Sequence, residues 1–346
     1  MTTPTQHTPK KISILIFEDI RLTAVTGALD ILMGANECFA ETGLELPFDI
    51  ELVSEKMKTI RVQLPAQFTC HKTVDEVEET DLIIVPSFMG DAEQSLKKYR
   101  NLVNWIETMS RKGSEVASLC RGSYFLAEAG LLNGKSCTSH WMSVDDMAQR
   151  YPEITVLADE IITDQDGVYT SGGAFSSIHL VLYLIEKFCG REMAIQVSKI
   201  FSIDMDRESQ AHFAVFRGQK GHKDEEILKS QLFIEQNYQN PITVEEIAGQ
   251  VNMSRRNFIR RFKKATQNTP LEYIQRVKVE AAKKGLEQGN QNISSLVYDV
   301  GYNDSKSFRN VFKRFTGLTP AEYRSKYSRS KPSTKLQTYA AHSQSL

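Results

Sequence analysis

Arg255-Arg256-Asn257-Phe258-Ile259-Arg260-Arg261-Phe262-Lys263-Lys264 is answered fifty positions later by Ser305-Lys306-Ser307-Phe308-Arg309-Asn310-Val311-Phe312-Lys313-Arg314. Thr269-Pro270-Leu271-Glu272-Tyr273 is answered in the same way by Thr319-Pro320-Ala321-Glu322-Tyr323. At about 100° per residue, Phe258, Phe262 and Ala265 share one narrow helical arc, and Arg256, Ile259, Arg260 and Lys263 fall opposite. Phe308 and Phe312 repeat the apolar arc, with Lys306, Arg309 and Asn310 facing the other way. Two copies of a small helical unit, each with an apolar back and a basic front, predict a two-headed DNA reader.

The flanking residues supply the punctuation such a unit needs. Thr243-Val244-Glu245-Glu246 spells a capping box for a short helix bearing Ile247 and Val251. Asn252-Met253-Ser254 is a turn, and Ser254 is a good N-cap for the helix that follows. A short helix, a tight turn and a basic-fronted helix make a helix-turn-helix pattern. Thr269-Pro270-Leu271-Glu272 opens a long helix to about Leu286 with a capping box and a proline at its first position. In the second copy Asn292 is the cap, and the turn Gly301-Tyr302-Asn303-Asp304 is one residue longer than its counterpart. Ahead of both copies, 224–238 reads as a leading helix with acids in its first turn.

Over roughly residues 224–326 the sequence resembles the AraC/XylS family DNA-binding domain. The turn at 301–304, the Phe308…Phe312-Lys313-Arg314-Phe315 core and the closing Thr319-Pro320-Ala321-Glu322-Tyr323 together carry the resemblance. It implies two motifs entering successive major grooves of double-stranded DNA. Carried over by position, Arg256, Ile259, Arg260, Lys306, Arg309 and Asn310 face bases, and all six lie on the outward helical arcs. Lys263, Lys264, Lys313 and Arg314 are the candidates for phosphate, since Lys mainly neutralises charge while Arg can fork onto guanine.

Charge is divided to match. Residues 1–222 carry 21 Lys and Arg against 31 Asp and Glu, a net −10, whereas 223–346 carry 21 against 12, a net +9. A basic third on an acidic body points to a polyanionic partner for that third, although a solvated basic face has the same composition. No apolar run approaches the ~18 residues of a membrane span, and the polar stretch 1–10 is unlike a signal peptide, so a cytoplasmic, bacterial location without membrane contact is expected. Five dispersed cysteines without Cys-x-x-Cys spacing fit a reducing compartment and give no sign of a metal site. No cofactor is expected.

The acidic body alternates strand and helix signals. Strands are expected at 11–17, 48–54, 81–85 and 115–119, with helices at 23–42 and 93–112 and a small hairpin around Asp166-Gly167. Such alternation implies βαβ units. The expected architecture is an α/β doubly wound, flavodoxin-like N-terminal domain over 11–217, a linker at 218–223, and an all-α C-terminal domain with two helix-turn-helix motifs over 224–327. Tails at 1–10 and 328–346 read as disordered.

Chemistry in the body centres on Ser118-Leu119-Cys120-Arg121-Gly122-Ser123, a tight strand-to-helix turn at the carboxyl edge of the sheet. Following backbone N–H groups favour a thiolate or an anion there, though a lone Cys before Gly is also ordinary packing. From Cys120 through Gly134, and again at 138–141 and 169–173, the sequence resembles the ThiJ/PfpI branch of the class I glutamine-amidotransferase-like superfamily. That resemblance implies an elbow cysteine, Cys120, a histidine, His140, and an acid after the first strand. The acid position falls at Ala24, and the Pro-Gly-Gly backbone that can serve an oxyanion is Pro86-Ser87-Phe88 here. Both departures argue against catalysis and for a retained pocket lined by Cys120, Arg121, His140 and Ser87.

The two halves together resemble the GlxA family of bacterial transcription regulators. That implies a homodimeric, sequence-specific DNA-binding regulator that senses a small metabolite, with RNA polymerase as a further candidate partner and an operator of repeated half-sites. The rival readings are a cysteine-dependent hydrolase or lyase of the PfpI type and a redox sensor at Cys120.

Overall fold

The computed structural model describes residues 8–62, 66–207, 209–289 and 291–328. The tails expected at 1–10 and 328–346 fall outside these residues, except for 8–10 and 328. The chain forms two compact units, Met1–Gln210 and Ala211–Leu346.

In the first unit the runs Lys10–Ile16 (β1) and Phe48–Ser54 (β2) flank the helix Leu22–Glu41 (α1). Three short strands follow, Thr59–Arg61 (β3), Gln67–Thr69 (β4) and Lys72–Thr73 (β5), before Leu82–Val85 (β6). Helices Ala92–Lys98 (α2) and Arg100–Arg111 (α3) lead to Glu115–Ser118 (β7) and Ser123–Glu128 (α4). Ser136–Cys137 (β8), Val144–Arg150 (α5) and Thr155–Val156 (β9) precede the hairpin Ile162–Gln165 (β10) and Val168–Ser171 (β11). Helices Ser176–Cys189 (α6) and Arg191–Ile200 (α7) close the unit.

The main sheet runs β10-β11-β7-β6-β1-β2-β5, parallel throughout except for the β10–β11 hairpin. Helices cover both faces, which is why β6 is buried at all four positions and reads as a continuous apolar run. This is the doubly wound sheet expected from the alternation. The hairpin turns through Asp166 at φ 52° and Gly167 at φ 73°, the paired positive angles of a tight two-residue loop.

One element differs from the expectation. The helix read over 93–112 is two helices broken at Tyr99, whose φ and ψ are −106° and 33°. Its ring is buried 4.7 Å from the ring of Phe17, and its hydroxyl donates to Asp19 at 2.7 Å. Anchoring that side chain to the first strand's exit takes the backbone out of helical geometry.

The second unit contains Glu225–Asn237 (α8), Val244–Gln250 (α9), Arg255–Thr266 (α10), Pro270–Gln288 (α11), Ile293–Asp299 (α12), Ser305–Thr316 (α13) and Pro320–Tyr327 (α14). It holds two apolar clusters. α11 supplies Tyr273 and Ile274 to the first and Val279, Ala282 and Leu286 to the second. The stretch expected as a linker, 218–223, is packed on this unit. A Cβ on Gly218, at φ 69°, would lie 2.3 Å from the Tyr273 hydroxyl, Gln219 accepts from Gln231 at 3.0 Å, and Lys220 pairs with Glu235 at 2.6 Å. The division between units comes earlier, after Gln210.

Candidate functional site: two reader helices and a cysteine elbow

Each reader is built from its caps inward. In the first, the Thr243–Glu246 capping box starts α9, Asn252 turns the chain at φ 52°, and Ser254 Oγ accepts from the Asn257 N–H. Phe258 and Phe262 are fully buried, and Phe262 meets Tyr273 edge-on at 5.3 Å and 86°. In the second, Asn292 caps α12, Gly301 turns at φ 77°, and the Asp304 carboxylate accepts from the N–H groups of Lys306 and Ser307. Phe312 meets Tyr323 at 5.6 Å and the same 86°.

Those cores leave the same faces outward. Arg256, Arg260, Lys306, Arg309 and Asn310 are exposed and Ile259 is half-buried. Arg260 is steadied by the Asn257 side chain, which accepts from its guanidinium at 2.9 Å. Lys263, Lys264 and Lys313 are exposed in the last turns of α10 and α13. Arg314 is also exposed, but its guanidinium donates to Gln275 at 2.6 Å and covers the Phe315 ring at 4.5 Å. Arg261, which the repeated stretch includes, turns back to pair with Asp224 at 2.6 Å and braces the start of α8.

The elbow in the first unit is strained as its position requires. Cys120 sits at φ 57°, where a side chain is uncommon, and is 1% exposed. Its N–H donates to Ser171 Oγ at 3.0 Å, and its carbonyl accepts from the hydroxyls of Ser123 and Ser139. Gly122 is required two residues on, because a Cβ there would lie 2.3 Å from the Val85 carbonyl oxygen. That close approach lays the elbow beside the end of β6, which leads into Ser87. The Ser87 hydroxyl is buried and has no hydrogen-bond partner among the described residues, while its carbonyl accepts from the Arg21 N–H at 2.8 Å. The Arg121 guanidinium lies 4.5 Å over the Phe88 ring and donates to the Gly90 carbonyl at 2.9 Å.

His140 caps the turn Trp141–Ser143, its Nδ1 accepting from the Met142 N–H at 3.1 Å. Burial lowers its pKa from the usual 6.5, and the positive charges of Arg21 and Arg121 lower it further. The neutral ring therefore carries its proton on Nε2, and its lone pair is already used by the backbone. The nearest acids after β1 are also engaged: Asp19 accepts from Tyr99 and Lys98, and Glu18 pairs with Lys98. Ala24, at the expected acid position, is a buried methyl on α1. Cys120, Arg121, His140 and Ser87 thus share the carboxyl edge of the sheet, and among the described residues no acid is hydrogen-bonded to the imidazole.

The sequence profile of the DJ-1/PfpI family matches residues 10–187, which is the sheet and its elbow. The chain belongs to the DJ-1/PfpI family. A helix-turn-helix domain profile matches residues 247–326, both readers together. The HTH-type transcriptional regulator GbdR of Pseudomonas aeruginosa is 25% identical over 93% of this chain and 86% of its own. GlxA of Rhizobium meliloti, also an HTH-type regulator, is 23% identical over 63% of this chain and 68% of its own. A solved Vibrio parahaemolyticus protein described as a candidate transcriptional regulator shares the fold of the first unit. It is 22% identical with a TM-score of 0.50, and covers 56% of this chain and 99% of its own.

Two residues of this DJ-1/PfpI site escaped the sequence reading. Arg21 follows β1, where the family acid was sought, and supplies a cation instead. Gln210 lies 70 positions from His140, and no motif marks it. Its amide donates to the Ser139 carbonyl at 2.9 Å and its Oε1 accepts from the Gly173 N–H at 2.9 Å. Among the described residues no helix is long and apolar enough to cross a membrane.

Proposed function

We propose that this protein is a DNA-binding transcriptional regulator whose readers contact bases through Arg256, Ile259, Arg260, Lys306, Arg309 and Asn310. Lys263, Lys264, Lys313 and Arg314 neutralise phosphates. The observation that carries this is the repeated geometry: two capped helices on matching Phe–Tyr contacts, each with its basic residues outward. Binding to a specific duplex, followed by fluorescence anisotropy, weakens steeply with salt as counterions are released. A salt-independent affinity would contradict the reading.

The first unit is the sensor. A small molecule sits near Cys120, Arg121, His140 and Ser87, and its chemistry is anionic, because Arg21 and Arg121 both act on a neutral His140. The Ser87 hydroxyl, without a partner among the described residues, is available to it as a donor. The elbow binds rather than catalyses, since the imidazole lone pair is occupied by the Met142 N–H and Ala24 stands where the family's acid is sought. Thermal-shift screening of small carboxylates should raise Tm for the wild type, and Arg21→Ala should abolish the shift. A shift that survives the substitution would remove Arg21 from the site. Cys120→Ser leaves the response intact if the thiol is neither nucleophile nor redox switch. The protein is expected to act as a cytoplasmic homodimer, which sedimentation at micromolar concentration checks.

A further inference from the structure

Gln210 is the last residue of the first unit and Ala211 is the first of the second. Gln210 is 1% exposed, and its backbone N–H donates to the Asp159 carbonyl at 2.9 Å. Its side-chain nitrogen lies within 2.9–3.2 Å of the Ser139, Ala158 and Glu160 carbonyls and the Thr138 hydroxyl. Its oxygen takes the Gly173 N–H, and a Cβ added to Gly172 or Gly173 would crowd a neighbouring side chain. The first would lie 2.7 Å from the Gln210 amide, the second 2.8 Å from the His140 ring. One buried amide therefore ties the two loops that frame His140.

The residues that follow are equally fixed in their own unit. Ala211–Phe213 forms a 3-10 turn that packs on α13, the second reader helix. The His212 and Phe213 rings lie 6.2 and 6.4 Å from the ring of Tyr327 at the end of α14. The Ala214 carbonyl accepts from the buried ammonium of Lys283, and the Phe216 N–H donates to Glu280 at 3.1 Å. In sequence, then, a residue tied to the loops around His140 is followed at once by residues seated on a reader helix.

We infer that Gln210 is a positioning residue that couples the effector site to DNA reading: a shift of the 138–142 or 171–174 loop moves its amide, and the Ala211–Phe213 turn carries that shift to the second reader. This rests on the DNA-reading and sensing roles proposed above. Coupling between sites is reciprocal, so DNA itself can serve as the probe.

The experiment uses the full chain and a duplex that the wild-type protein enriches from a random library. Hydrogen exchange is followed with and without it. In the wild type, the duplex changes exchange at 138–142 and 171–174 by at least about fivefold, the lower end of typical coupling. A six-residue Gly/Ser insertion between Gln210 and Ala211 leaves both packed ends intact. It should abolish that change while DNA affinity stays within about threefold. Gln210→Ala should do the same if it folds, and the insertion decides if it does not. Transmission that persists through the insertion overturns the proposal, as does a wild type that binds DNA with no change at the loops. Failure to enrich any duplex would instead remove the DNA-reading role on which the proposal stands.

Discussion

In the first reader Phe262 meets Tyr273 at 5.3 Å; in the second Phe312 meets Tyr323 at 5.6 Å, both at 86°. Each closing helix starts with the same Thr-Pro capping box, at Thr269 and Thr319. Outward, the two diverge position by position. Arg256 faces the place of Lys306, Ile259 that of Arg309, and Arg260 that of Asn310. The turns diverge as well, through Asn252 in one and Gly301, one residue further out, in the other. The difference teaches that the repeat preserves a scaffold and varies a reading head. α11 holds the two in register, with the buried Lys278 donating to the Gly301 carbonyl at 2.8 Å.

The most disruptive way to test the separateness of the readers is to empty one core. Phe312→Ala should cost about 3–5 kcal/mol. Hydrogen exchange should then rise in α12 to α14 well before α8 to α10, since the two clusters share no buried side chain. Uniform opening would mean a single cooperative core. The turns offer a smaller contrast. Gly301→Ala forces a Cβ to 2.4 Å from the Gln239 carbonyl oxygen at a positive φ, costing roughly 2–4 kcal/mol in urea unfolding. Asn252→Gly should change stability by no more than about 0.5 kcal/mol, because Asn already tolerates that conformation.

Much of this contrast was legible in the sequence. Capping boxes, the Gly301 turn and the Phe spacing are local signals, so the helices and their outward faces follow from a few residues each. The elbow was equally plain, since Cys120, Gly122 and the strand before them are contiguous. The break at Tyr99 was not, because Asp19 holds it from 80 positions away. The packed stretch 211–223 was also missed. Its polar, glycine-containing composition suits a linker, yet Gly218 is there to pass under Tyr273. Gln210 was invisible for a related reason: among the described residues, all but one of its side-chain partners are backbone groups, which carry no sequence signature.

Base contacts sharpen the comparison at the next scale. Arg260→Ala should cost roughly 1–3 kcal/mol concentrated at one base of one half-site, and Arg309→Ala a similar amount in the other half. Competition with single-base variants checks both, and equal losses across all sequences would reassign that arginine to phosphate.

The smallest effect concerns the ion pair that only the first reader has, Arg261 with Asp224, where the second has Val311. The Arg261 hydrogen bond holds the Asp224 pKa below its ordinary 3.8. Its contribution is therefore present above that value and lost as pH falls through the lower folded-state value. For a partly exposed pair it amounts to less than about 1 kcal/mol. Asp224→Asn keeps the cap and should flatten the acid dependence of exchange in α8 and α10, leaving α13 unchanged.

The central claim is that two unlike readers are held in fixed register, and sequencing the duplexes that the full chain enriches from a random library tests it most directly. The account predicts two different short sequences in the same orientation, centred about 10–10.5 base pairs apart, with binding lost when five base pairs separate them further. Recovery of a simple inverted repeat, or tolerance of the added half turn, would contradict it.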